Sequence, residues 1–423
     1  MTLHFDIHGL RTKFPALDRS QIFLDNAGGS QILGAAADAY AHPSPHGQVF
    51  LISSSIRDYL VTSNVQLGAS YKVGKQSTAH YNQGYEAGAR YINAAKEEIV
   101  FGASTTQLLR NLSLALEFEA GDEIVVSALD HEANIASWVE LAHSQHLTLK
   151  MWKPDGQDTS PKLTVENLKP LLSNKTRLVV LTHVSNILGT IHDVKAIAAA
   201  AHGFPNVLVG VDGVAYAPHR PIDVQELDVD FYCFSWYKVF GPHIAMLYAS
   251  RTMQRQMRSL GHYFNPSASL ADKIGLAAGS YELIASIPVV VNHLLHEGWE
   301  ASVAHETQLQ HHLLGYLLKR EDVTIFGEKS ADPHVRVPTV SFKLLGWSSQ
   351  QVVETVEAKS DIAFRWGSFY SQRLTKEIMG LDPADGVIRI SMAHYNTLEE
   401  IDAVIAALDD TVKVHSTGAA KKI

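Results

Sequence analysis

DVDFYCFSWYKVFGPH, residues 228–243, turns apolar and aromatic from Phe231 and meets a lysine at position 238. Asp230 to Phe234 read as a buried strand, because both faces of the run are apolar. Cys233 alternates with aromatics in it and reads as a small buried hydrophobe. Gly241-Pro242 then force a turn. Lysines are ordinarily exposed. One that closes an apolar strand between aromatics, as Lys238 does, is partly desolvated, and burial disfavours its charged form.

The same strand rhythm extends in both directions. EIVFGA, DEIVVSA, TLKMWKP, RLVVLTHVS and NVLVGVDGV are Val/Ile/Leu-rich strands, and helical segments separate them. Strands alternating with helices predict an α/β fold with a mostly parallel central sheet. After about residue 290 the pattern changes. Residues 291–320 read as one long helix, followed by strands in VRVPTVSFKL, IAFRWGSF and VIRISMAH. TLEEID, residues 397–402, opens the last helix with a Thr-x-x-Glu capping box. The expected division is a large domain over residues 31–290. A smaller α+β domain is expected from residues 1–30 and 291–423.

The strand ends carry the candidate chemistry, as open α/β sheets lead one to expect. Asp212 closes VLVGVD and could pair with a protonated ring nitrogen, or simply cap the turn before Gly213. GASTTQLLRN, residues 102–111, sets Thr105 and Thr106 at a strand-to-helix junction. Free N–H groups and hydroxyls there can cradle a phosphate, and Ser235 could add a contact. The plainer reading is an N-cap. His131 in DHEANIASW could stack on a flat ring. Asn186 in THVSNILGT could reach a ring oxygen. Arg365 and Arg389 interrupt apolar strands, which is costly unless each is paired; a substrate carboxylate and a structural salt bridge are rival explanations.

In order along the chain stand LDNAGG, STTQ, DHEAN, THVSNILGT, VDG, FSWYK and RISMAHYNTLEEID. Together they resemble the class-V aminotransferase family of fold-type-I pyridoxal 5'-phosphate (PLP) enzymes, and its cysteine-desulfurase-like branch. The resemblance runs from about residue 22 to residue 408. It implies Lys238 as the Schiff-base lysine and, with Asp212 and His131, a catalytic set. Asp212 would face the pyridinium, His131 would stack on the ring and Asn186 would reach the ring oxygen. Thr105, Thr106, Ser235 and Tyr237 would hold the phosphate. Gly279 and Ser280 would serve a partner subunit's phosphate in a homodimer with shared sites. Arg389, with Arg365, Asn26 and Ala27, would face an amino-acid substrate.

Two departures from the family are informative. RWGSFYSQRL, residues 365–374, has no cysteine where desulfurases carry one on a mobile loop, and Ala215 stands where a Gln is usual. The FYCFSWYKVFGPH stretch, HYF at residues 262–264 and the missing loop cysteine resemble a narrower group. These are fungal biosynthetic enzymes of the loline cyclase and ustiloxin decarboxylase-aldolase type. That likeness implies C–C bond formation through a Cα or Cβ carbanion in secondary metabolism. A C–S lyase without a persulfide and an aminotransferase are the alternatives.

Composition narrows the remaining classes. Net charge is -9 with no basic block, so nucleic acid is not an expected partner. No apolar run is long enough to span a membrane, and the first twenty residues lack a signal-peptide core, so a soluble cytoplasmic protein is expected. One cysteine excludes an internal disulfide, and the 22 histidines form no metal-ligand motif.

Overall fold

A computed structural model describes residues 5–34, 52–154, 159–265 and 269–419. Seven strands form the main sheet: β1 (Ile99–Gly102), β2 (Glu123–Ser127), β3 (Thr148–Trp152), β4 (Thr176–Thr182), β5 (Leu208–Asp212), β6 (Phe231–Ser235) and β7 (Ala245–Ala249). Their spatial order is β1-β7-β6-β5-β4-β2-β3. β7 is antiparallel to both of its neighbours, and every other pairing is parallel. Six strands therefore point the same way, and their C-terminal ends share one edge. The mostly parallel α/β sheet is as the apolar runs predict. The antiparallel β7 has no separate signal, because a run such as AMLYA does not encode its direction.

Both faces of this sheet are covered, which is why its strands are apolar throughout. Ile124, Val126, Leu178, Val180 and Phe231 pack on one side with Leu108, Leu112 and Trp138. Val125, Val179, Val209, Val211, Tyr232 and Phe234 pack on the other.

A second, four-stranded sheet holds β8 (Val323–Phe326), β9 (Thr339–Leu344), β10 (Arg365–Gly367) and β11 (Val387–Ser391), in the order β10-β11-β9-β8 and wholly antiparallel. The N-terminal segment joins it: Ile22–Phe23 pair with Ile362–Ala363, and Asp25 bridges to Ser391. IAFRWGSF is thus two short strands, not one. The long helix expected over 291–320 is also two, Ile287–Glu297 and Trp299–Leu317. Gly298 between them has φ of 78°, a positive-φ conformation that breaks the helix and that glycine adopts without a Cβ penalty. The capping box of the last helix forms in both directions, Glu400 N donating to Thr397 Oγ1 and Thr397 N to Glu400 Oε2.

Ahead of β1 the structure describes the helices Ile52–Thr62 and Lys72–Tyr91; residues 35–51 lie outside the described residues.

Candidate active site

Asp212 and Lys238 lie at the ends of neighbouring strands. Asp212 pairs with Cys233 in the β5–β6 register, and a single 3-10 turn, Trp236–Lys238, brings the lysine back over the sheet edge. Val214 N donates to Asp212 Oδ1 at 2.8 Å, which fixes the carboxylate. The intervening residue has to be glycine. A Cβ at Gly213 would stand 2.1 Å from the Tyr232 ring, whose hydroxyl hydrogen-bonds His183 Nδ1 at 2.9 Å.

Lys238 is 9% exposed and Asp212 5%. Burial and the nearby Arg389 charge push the Lys238 ammonium down to about 8, although Asp212 opposes this. A group so poised is still mostly protonated at physiological pH but gives up its proton far more readily than an ordinary lysine, which makes the amine available as a base or nucleophile. Burial pushes Asp212 up to about 6, with the Val214 hydrogen bond and Lys238 opposing. A cationic partner in the cavity would favour its ionised form. Asp130 is buried as well, and burial and the Asp212 charge hold its carboxyl well above the usual range.

Ser104, Thr105 and Thr106 enter the same cavity from the start of the helix Thr105–Ala115. The Ser104 hydroxyl is engaged as the N-cap, accepting from Gln107 N at 3.1 Å. Thr105 Oγ1 and Ser235 Oγ lie 2.6 Å apart, which joins the two strand ends into one hydroxyl-lined cradle. Tyr237 lines the cavity and stacks flat on His243, with ring centroids 4.8 Å apart.

His131 lines the cavity too. Burial, then Lys238 and Arg389, hold its imidazole down to about 4, so it is neutral at pH 7. Tyr370 leans on it, with ring centroids 5.2 Å apart. Asn186 lines the cavity, but its amide is engaged by the 368–371 loop: Nδ2 donates to the Phe369 carbonyl at 2.9 Å and Oδ1 accepts from Ser371 Oγ at 3.0 Å. Phe369 and Tyr370 both have positive φ, 46° and 59°, which is unusual for residues with side chains.

The remaining sequence candidates lie around this core. The Arg389 side chain is fully buried, and its charge is felt at Lys238 and His131. Arg365 is exposed. Asn26 is buried, and its amide is engaged by Phe23, Ser391, Asn396 and Tyr395, so it clasps the N-terminal segment to residues 391–396. The backbone N–H of Ala27 donates to Ser391 Oγ at 2.9 Å. Gly279 and Ser280 are exposed, ahead of the helix Tyr281–Ala285, and do not line the cavity of their own chain. Ala133, Thr182, Val184, Val214 and Ala215 complete the lining. Ala215 stood out in the sequence as the position where the family usually has Gln; the others carried no signal beyond lying at or shortly after strand ends.

A family model described as aminotransferase class-V matches residues 22–404. The chain belongs to the class-V aminotransferase family. Among its curated relatives is "Aminotransferase-like protein FGM3" of Gibberella zeae, 52% identical over 408 residues that cover 96% of this chain and 98% of the relative. "Cysteine desulfurase-like protein ustD" of Aspergillus flavus is 40% identical, over 96% of this chain and 91% of the relative. In fold the chain is similar to a cysteine desulfurase from Thermococcus onnurineus NA1, with a TM-score of 0.83 at 22% identity over 97% of this chain and 99% of that one.

As a class-V aminotransferase-family enzyme the protein uses PLP, and its cavity fits that group. A buried amine faces a buried carboxylate, a neutral imidazole flanks them, and hydroxyls converge at a helix start.

Proposed function

We propose that this class-V enzyme forms a carbon–carbon bond on an amino-acid substrate in secondary metabolism. The route is a carbanion at Cα or Cβ, followed by Mannich cyclisation or decarboxylative aldol addition. The observation that carries this reading is the distribution of nucleophiles. Lys238 is the amine of the cavity, whereas the sole cysteine, Cys233, lies inside β6 with its thiol pushed well up by burial and by Asp212 and Asp130. On the loop at 365–374, Tyr370 leans over His131. Persulfide chemistry has no thiolate to start from.

Bound PLP supplies the electron sink for such a carbanion. Lys238 Nζ holds the cofactor and, once released, takes or returns a proton at the substrate carbon. Asp212 would hold a negative charge toward the ring nitrogen of the bound group. Arg389 binds the carboxylate and so fixes the orientation of the bond to be broken. His131, neutral, would pack against the ring of the bound group and carries no competing charge.

A homodimer accords with this reading. Gly279 and Ser280 are exposed, as groups that serve a partner subunit's phosphate would be, and Tyr263 and Phe264 are exposed nearby in sequence. No described helix is long and apolar enough to cross a membrane.

The test is incubation of the loaded enzyme with L-aspartate or L-cysteine, with and without simple aldehydes, and product analysis by mass spectrometry. An aldehyde-dependent adduct of the amino acid is expected. Sulfide from cysteine, or a keto acid from either substrate, without any adduct would replace this reading with a C–S lyase or an aminotransferase.

A further inference from the structure

Asp25, in the LDNAGG turn, touches two arginines at once. Arg389 Nη2 donates to Asp25 Oδ1 at 2.6 Å, and Arg365 Nη1 donates to Asp25 Oδ2 at 3.4 Å. The arginines are direct partners in the antiparallel β10–β11 register, so their side chains leave the same face of the sheet. Their surroundings differ. The Arg389 side chain is 2% exposed, that of Arg365 is 54% exposed and Asp25 stands between them at 26%. The Phe369 ring packs against both guanidiniums, 3.7 Å from Arg389 Cζ and 5.5 Å from Arg365 Cζ. Arg389 also donates from Nη1 to the Asn186 carbonyl at 3.1 Å, and its Nε is buried without a partner.

A buried guanidinium needs an anion, because an unpaired charge in such a place is expensive. In the chain by itself that anion is Asp25. The carboxylate of a substrate therefore meets an arginine that is already neutralised. Two arginines share one carboxylate, and a second carboxylate makes the charges equal. Arg365 already reaches Asp25, so the carboxylate keeps one partner when it leaves the other.

We propose that Asp25 is an internal carboxylate that holds Arg389 until a substrate carboxylate arrives, and then moves its pairing to Arg365. The proposal rests on the reading that Arg389 binds the substrate carboxylate. It makes Asp25 and Arg365 positioning residues that set a threshold for binding. The exposed Arg365 contact is weak, since water screens it, so the pair reverts to Arg389 when the site empties. An amine that lacks a carboxylate cannot displace Asp25, and the exchange thereby selects amino acids over simple amines.

The experiment uses the loaded enzyme and four variants. Asp25→Asn removes the competing charge at constant shape. It should lower KM for the amino acid by about tenfold, roughly one charge-assisted hydrogen bond, with the change in KM and not in kcat. Without substrate, Asp25→Asn should melt at a lower temperature than wild type, and acetate should restore it while leaving wild type unmoved. Arg365→Gln should raise KM severalfold, and that effect should vanish in the Asp25→Asn/Arg365→Gln double variant. A raised KM in Asp25→Asn with no response to acetate overturns the proposal. An Arg365 effect that persists in the double variant does the same, because Arg365 then touches the substrate itself. If Asp25→Asn does not fold, Arg365→Gln decides alone: it alters an exposed side chain, and an unchanged KM refutes the exchange. Arg389→Gln separates the two levels of argument. If it leaves KM unchanged, the carboxylate site itself is wrong; if it raises KM while Asp25→Asn fails as described, only the exchange is wrong.

Discussion

Replacing Asp212 with Asn should stabilise the protein without cofactor and weaken it with cofactor. Burial raises the pKa of this carboxyl from 3.8 to about 6. The folded state therefore binds the proton more tightly than the unfolded state does. The resulting stability is fully present below pH 3.8, declines as pH rises through about 6 and is absent above it. From 3.8 to about 6, at about 1.36 kcal/mol per unit, the ionised carboxylate costs about 3 kcal/mol at pH 8. Asn cannot ionise and can keep the hydrogen bond from Val214 N. Urea denaturation of cofactor-free wild type and Asp212→Asn at pH 5 and pH 8 measures the difference. The variant should be more stable at pH 8, by an amount of that order, and the gap should narrow at pH 5. With saturating PLP the order should reverse, because Asn offers the ring nitrogen no charge. A cofactor-free Asp212→Asn protein that is less stable than wild type at pH 8 would show that Asp212 is held by partners rather than strained by burial.

Lys238→Ala should remove the visible absorbance of the lysine-bound cofactor and abolish turnover while the protein stays folded; surviving turnover would end the claim that Lys238 is the essential amine. Thr105→Val deletes the hydroxyl that meets Ser235 at 2.6 Å and should weaken PLP affinity about tenfold, as loss of one hydrogen bond to a charged group does, read by cofactor titration. Gly213→Ala puts a Cβ 2.1 Å from the Tyr232 ring and should cost about 1–3 kcal/mol in denaturation, the usual range for overpacking.

The sequence made the sheet and its reactive edge legible for one physical reason. Strands buried on both faces must be apolar throughout, so a Lys238 or an Asp212 at the end of such a run stands out. Side chains that act through others gave no such signal. Asn186 was visible as a polar residue after a strand, yet its engagement with the Phe369 carbonyl and Ser371 depends on a loop 183 and 185 residues away. Asp25 was hidden inside a glycine-rich turn, and its two arginines lie on strands brought to it only by the small sheet. The break at Gly298 was overridden by helical patterning on both sides of it. A glycine at positive φ leaves apolar periodicity almost undisturbed.

The antiparallel β7 has a consequence for how the holoenzyme matures. It lies between β1, which leads to Thr105, and β6, which ends at Ser235, so it sets the spacing of the two halves of the hydroxyl-lined cradle. It is also the last strand of that sheet to leave the ribosome. A nascent chain that ends before Ala245 already contains Asp212, His131 and Lys238 but lacks the wedge that brings the two hydroxyls into register. Chains truncated ahead of β7 should therefore fail to retain PLP however well their earlier strands have paired.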